Sequence, residues 1–186
     1  LDGKLVAWME HGDARTRDGV CAALAGVDGK LAWTWIARGL RDADASVRVA
    51  CADAAAARGG GRGGSSVVPR LRVLVHDRDR TVRAHALAAL VALDPAHVVN
   101  AADDPAAEVR LAFAAALATA LPSEAEADLR ELIDDRDADV RAAAWTSLLA
   151  LPKPPAVRAE RAARSVRDAA PQVRRAAVGA LEDVPA

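Results

Sequence analysis

The chain has 186 residues, 52% of them apolar and only 3% aromatic, with a formal net charge of −1. Such a balance excludes a global attraction to nucleic acid or anionic lipid, and no apolar run reaches the roughly 18 residues of a membrane span. Apolar content drawn largely from alanine, with few aromatics, points to closely stacked helices and away from a β-sandwich.

In chain order, residues 3–11 predict a short helix with Leu5, Val6 and Met9 on one face and Trp8 off it. Helices are expected over 14–25 and 28–41. In the second, Leu31, Trp35, Ile36 and Leu40 share an apolar face and Trp33 lies off it. A helix over 45–58 runs into RGGGRGG, whose glycines cannot occupy a stable helix interior, and helical spacing resumes over 65–76. Arg58, Arg62, Arg70 and Arg72 surround that loop with no acid among them, which would suit phosphate or RNA. The loop lacks the G-x-x-x-x-G-K-[ST] order and interleaved aromatics of such sites, so a mobile connection is the expectation. Then come helices over 80–92, 95–102 and 106–120, and an acidic one over 123–134 that opens on a Ser123–Glu126 capping box. A helix over 138–150 carries Trp145, PKPP at 152–155 breaks the chain, and helices over 156–167 and 171–182 complete it.

One phrase recurs through these elements. Arginines stand at 17, 48, 83, 110, 141 and 174, at intervals of 31, 35, 27, 31 and 33 residues. Six residues before them stand His11, Asp42, Asp77, Asp104, Asp135 and Asp168. Four before stand Asp13, Asp44, Asp79 and Asp137, with Ala106 and Ala170 in the remaining copies. One before is Val47, Val82, Val109, Val140 or Val173, with Thr16 in the first copy. Seven after is Leu24, Leu90, Leu117, Leu148 or Leu181, with Ala55 in the second. A fixed period of this length is the mark of a stacked repeat. Aspartate before an Ala/Leu run caps a helix and complements its dipole. Six equivalent arginines in equivalent places predict a structural ladder to those aspartates, not a set of ligand contacts.

This pattern resembles the HEAT-like repeats, in particular the short variety named after the phycobilin lyases, from about Asp13 to Leu181. The resemblance implies an all-α, right-handed α-α superhelix of about six helix pairs, with an aspartate–arginine ladder between repeats. It leaves function open, because such repeats serve lyase subunits, DNA-repair glycosylases and plain binding scaffolds.

The residues favour the scaffold. His11, His76, His85 and His97 sit in different repeats. The paired His-Glu motifs of iron-binding HEAT-like hydroxylases are represented only by a reversed Glu10-His11, so neither a metal nor another cofactor is expected. No nucleophile elbow or CxxC appears. Cys21 and Cys51 fall in apolar stripes and read as buried free thiols, which suits a cytoplasmic setting. Scarce lysine and absent tyrosine suggest a GC-rich bacterial genome, and the opening leucine a segment of a longer chain. Solenoids of this class expose their second helices on the concave side. There Lys4, Trp8, His11, Lys30, Trp33, Thr34, Arg41, Arg70, His97 and Asn100 are the candidate contacts for a protein or peptide partner, with Trp33 as the anchor. The acidic fourth repeat (Glu124, Asp128, Glu131) makes duplex DNA an unlikely ligand; a nucleic-acid-binding glycosylase-like protein or a lyase-like subunit is the alternative.

Overall fold

The structure is a computed structural model that describes residues 2–27, 29–59, 63–96, 98–118 and 122–182. The chain divides into two compact units, Leu1–Val99 and Asn100–Ala186. Among the described residues every regular element is helical. The first unit holds α1 (Asp2–His11), α2 (Ala14–Leu24), α3 (Lys30–Gly39), α4 (Ala45–Arg58), α5 (Val68–Leu74) and α6 (Arg80–Leu93), with a 3-10 turn at Gly64–Ser66. The second holds α7 (Ala107–Ala116), α8 (Pro122–Leu132), α9 (Ala138–Ala150), α10 (Pro155–Ser165) and α11 (Pro171–Glu182).

Both units are built the same way. The phrase-bearing helices form one layer, α2–α4–α6 in the first unit and α7–α9–α11 in the second, and the intervening helices lie against them. The valine before each arginine is buried in all five copies that have one, and so are Leu24, Ala55, Leu90, Leu117 and Leu148, none more than 2% exposed. These two columns are the core seam, which is why they are apolar in every copy but the first, where Thr16 is half-buried.

Each polar column has one geometric task. The aspartate four before the arginine caps its helix: Asp13 accepts from Thr16 N, Asp44 from Ser46 N, and Asp79 and Asp137 each from two first-turn amides. The aspartate six before accepts from the amide two residues on, as in Asp42–Asp44, Asp77–Asp79, Asp135–Asp137 and Asp168–Ala170. The same carboxylate also accepts from the arginine of the preceding repeat, with Oδ1 shared between amide and guanidinium. Arg17 holds Asp42 through two bonds of 2.7 and 2.8 Å, Arg110 holds Asp135 at 2.7 and 2.9 Å, and Arg141 holds Asp168 at 2.9 and 3.0 Å. Arg48 reaches Asp77 at 2.9 Å. The remaining guanidinium nitrogen of Arg48, Arg83, Arg110, Arg141 and Arg174 donates to the carbonyl of the aspartate six residues back in its own repeat. Arg17, Arg48, Arg110 and Arg141 are therefore rungs of a ladder. The Arg17 and Arg141 hydrogen bonds hold Asp42 and Asp168 below the usual carboxylate range. Burial would raise Asp135, but Arg110 and the Asp137 amide outweigh it and its pKa is lowered.

Three expectations need correction. No helix forms among the described residues of 95–102. Val98 and Val99 are poor helix formers, and Asn100 turns its side chain to local work: its Oδ1 accepts from Ala102 N while its Nδ2 donates to Asp128. The interval from Arg83 to Arg110 is also the shortest of the series, leaving little chain for a second helix. The two cysteines are buried as expected but are not free: Cys21 of α2 and Cys51 of α4 form a disulfide. That bridge removes the free-thiol argument for a cytoplasmic setting. Finally, α3 buries Trp35, Ile36 and Leu40 as expected, but Leu31 is 41% exposed and Trp33 only 4%.

Candidate functional site

The first unit carries a groove of about 930 Å³ between the end of α1, the length of α3 and the turn at Gly63–Ser66. Met9 and Glu10 form one edge, and Lys30, Trp33, Thr34, Ala37, Arg38 and Arg41 form the α3 wall. Arg17, Asp42, Ala43, Gly63 and Ser66 complete the lining. Helical spacing explains the wall, because Lys30, Thr34, Arg38 and Arg41 follow one another at four, four and three residues and so share a face.

Trp33 owes its burial to two long-range partners. The Arg58 guanidinium lies 4.9 Å from its ring centroid, a cation–π contact. Gly63 lies against its edge, so close that a Cβ there would stand 2.8 Å from Trp33 Nε1. Gly63 also has a φ of +110°, which only glycine adopts without strain. Arg58 is further fixed by donating to the carbonyls of Leu24, Ala25 and Val27, the open end of α2. On its other side α3 rests on the disulfide. A Cβ on Gly39 would meet Cys51 Sγ and would stand 2.8 Å from Cys21 Sγ, so the close approach of helix to bridge requires glycine.

The charges of the groove divide into engaged and unengaged groups. Arg17 and Asp42 neutralise one another as a ladder rung, and Arg17 also donates to Gly12 O. Glu10 and Arg38 form a 2.9 Å ion pair across the groove, with side chains 36% and 51% exposed, and Arg38 lies 5.2 Å from the Trp35 ring centroid. Lys30 and Arg41 are exposed and join no ion pair among the described residues; Arg41 donates only to Ala37 O.

The structure brings together some of the candidate contacts and separates others. Lys30, Trp33, Thr34 and Arg41 line the groove. Lys4, Trp8 and His11 are exposed on α1 but outside its lining. Arg70 is tied through Nε to Leu40 O, Asn100 belongs to the second unit, and His97 lies outside the described residues. The exposed anchor expected of Trp33 is corrected to a buried wall residue, because Arg58 and Gly63 cover the face that the sequence left open. Sequence reasoning missed Glu10, Arg17, Arg38 and Asp42. The i, i+4 series through Lys30 and Thr34 was the available signal for Arg38.

The arginines around the glycine loop are also accounted for. Arg58 binds carbonyls, Arg70 binds Leu40 O, and Arg72 pairs with Asp94, while Arg62 lies outside the described residues. A second cleft of the first unit, about 640 Å³, has an alanine floor with Asp18, Asp53 and Asp79 at its rim. In the second unit, Glu126 of the expected capping box collects Arg130, Lys153 and Arg161; the Ser123 side chain lies outside the described residues. The Lys153 hydrogen bond does most to bring the Glu126 pKa from 4.5 to about 2, with Arg130 and Arg161 adding to it against burial. Among the described residues, no group of His, Cys, Asp and Glu is arranged to hold a metal ion, and no helix is long and apolar enough to cross a membrane.

No protein-family model and no curated protein matches the chain. Solved structures do match it. An engineered protein aligns over 96% of both chains at 20% identity and a TM-score of 0.63. A chain in the complex of CpcE and CpcF of phycocyanin lyase from Nostoc sp. PCC7120 aligns at 21% identity and a TM-score of 0.67, covering 97% of this chain and 76% of that one. A designed armadillo repeat protein in complex with the peptide (KR)4 aligns at 17% identity and a TM-score of 0.63, covering 96% and 97%. At such identities the likeness is one of fold. The chain has the all-α superhelical repeat fold of the HEAT and armadillo kind.

Proposed function

We propose that the protein is a non-enzymatic repeat scaffold that holds a protein or peptide segment in the groove of its first unit. The observation that carries this reading is the groove itself. It is an open channel of about 930 Å³ with an apolar stretch at Met9, Trp33 and Ala37 between charged rims, the mix of shape and polarity that peptide grooves use. Its walls are rigidly backed, by the disulfide behind α3 and by Arg58 behind Trp33, so little ordering is needed when a ligand enters. Two neighbours of the same fold give the reading precedent, one in complex with a peptide and one in a complex of two proteins. Arg58, Arg70 and Arg72 are spent on carbonyls and an aspartate, which favours a protein ligand over nucleic acid.

The test is a selection of displayed random peptides on the immobilised protein, counter-screened on Thr34→Trp. Thr34 is exposed midway along the α3 wall, so an indole there fills the channel while α3 stays folded. Peptides that bind the unaltered protein and lose at least about tenfold, or roughly 1.4 kcal/mol, on Thr34→Trp support the proposal. Binders indifferent to Thr34→Trp would move the site elsewhere.

A further inference from the structure

We infer that the segment held in this groove is acidic, and that Glu10 occupies its principal receptor, Arg38, until it arrives. The inference rests on the scaffold reading above and names the chemistry of its ligand. Among the described residues six charged side chains line the channel, of which Arg17, Lys30, Arg38 and Arg41 are basic and Glu10 and Asp42 acidic. The Arg17–Asp42 rung is part-buried, bidentate and shared with the fold, so it is not available to a ligand. What remains is Lys30, Arg38 and Arg41 against Glu10 alone, a surplus of two positive charges on one helix face.

Arg38 is placed to act as a receptor. Its guanidinium is held near the Trp35 ring, and the one carboxylate it binds among the described residues comes from another helix, through an exposed contact. An exposed pair of this kind is weak, so a ligand carboxylate can displace Glu10 at little cost. The geometry also sets a length. From Lys30 to Arg38 the helix rises about 12 Å at 1.5 Å per residue, and Arg41 stands in the turn just past its end, so the basic row matches the reach of about four to five extended residues. An acid at each end of such a stretch would meet Lys30 at one end and the Arg38–Arg41 pair at the other. Side chains between them would lie on Trp33 and Ala37.

The probes are fluorescein-labelled peptides carrying Glu-Ala-Leu-Ala-Glu, Gln-Ala-Leu-Ala-Gln or Lys-Ala-Leu-Ala-Lys in a common Gly-Ser frame, read by fluorescence anisotropy at two salt concentrations. The acidic peptide is expected to bind at least about tenfold more tightly than the Gln peptide at low salt, an advantage that shrinks as salt screens it. Glu10→Gln should tighten it further, and Lys30→Glu with Arg41→Glu should abolish the preference. Both of these side chains are exposed, and circular dichroism verifies that the double variant keeps its fold. Equal or better binding of the Gln or Lys peptide overturns the inference and leaves the scaffold reading standing, as does unchanged acidic-peptide affinity in Glu10→Gln. If none of the three binds, the inference is overturned. The Thr34→Trp counter-screen then decides whether the scaffold reading falls with it.

Discussion

Removing one rung of the ladder should damage the fold in proportion to how dry that rung is. Arg110 and Asp135 form the pair with the least exposed arginine, with side chains 5% and 8% exposed. Arg110 makes two bonds to the carboxylate and two to the Asp104 and Pro105 carbonyls, at 2.8 and 3.3 Å. Arg110→Ala deletes all of them and strands a buried carboxylate whose remaining bond is to the Asp137 amide. Breaking a buried pair from one side costs about 3–5 kcal/mol. Arg17→Ala, in a pair 21% and 13% exposed, should cost nearer 1–2 kcal/mol because water can reach what is left. Arg110→Lys should not rescue, since an ammonium cannot span a bidentate carboxylate and two carbonyls at once. Arg110→Met with Asp135→Leu should recover most of the loss, because no charge is then left unpaired. Urea unfolding followed by far-ultraviolet circular dichroism measures each difference. A loss below about 1 kcal/mol in Arg110→Ala, or a double variant no better than the single one, would refute the dry-rung argument.

The acid response should show the Glu126 cluster. Its folded pKa of about 2 lies below its ordinary 4.5, so its contribution is complete above 4.5 and is lost as pH falls toward 2; urea midpoints across that window should fall less steeply in Glu126→Gln than in the unaltered protein. Gly39→Ala drives a methyl group into both bridge sulfurs, so Tm should fall and titratable thiol should rise in the purified protein. Gly63→Ala strains a left-handed residue and crowds Trp33, and should lower Tm with a change in tryptophan emission; an unchanged spectrum would mean the turn yields without disturbing the wall.

The ladder was legible because each of its columns performs a single local task. The aspartate that caps recurs in four copies, the valine that fills the seam in five and the arginine in all six. The groove was less legible because its walls are set by residues distant in sequence. Trp33 lies off the apolar stripe of α3 and is buried by Arg58 and Gly63, which come after the next helix has begun and share no local pattern with it. The disulfide left a trace that could have been followed. Cys21 and Cys51 stand four residues after Arg17 and three after Arg48, nearly the same register on adjacent helices of one layer. Neighbouring helices of a stacked repeat bring such positions face to face. The missing helix at 95–102 shows the opposite case, where a short apolar segment loses to the local bonding of Asn100.

The bridge between Cys21 and Cys51 makes the groove wall part of a covalent ring. Its 30-residue separation encloses the end of α2, all of α3 and the start of α4. Closing a loop of that length removes about 3.6 kcal/mol of chain entropy from the unfolded state at room temperature. The same sequence therefore has two stabilities, one for an oxidising compartment and one for a reducing compartment, and the difference acts on the segment that carries Lys30, Trp33, Arg38 and Arg41. The ring can close as soon as the first 51 residues are available, before the second unit has been synthesised. A protease cut between α2 and α3 would then leave the two pieces joined through sulfur, with the wall still held in place.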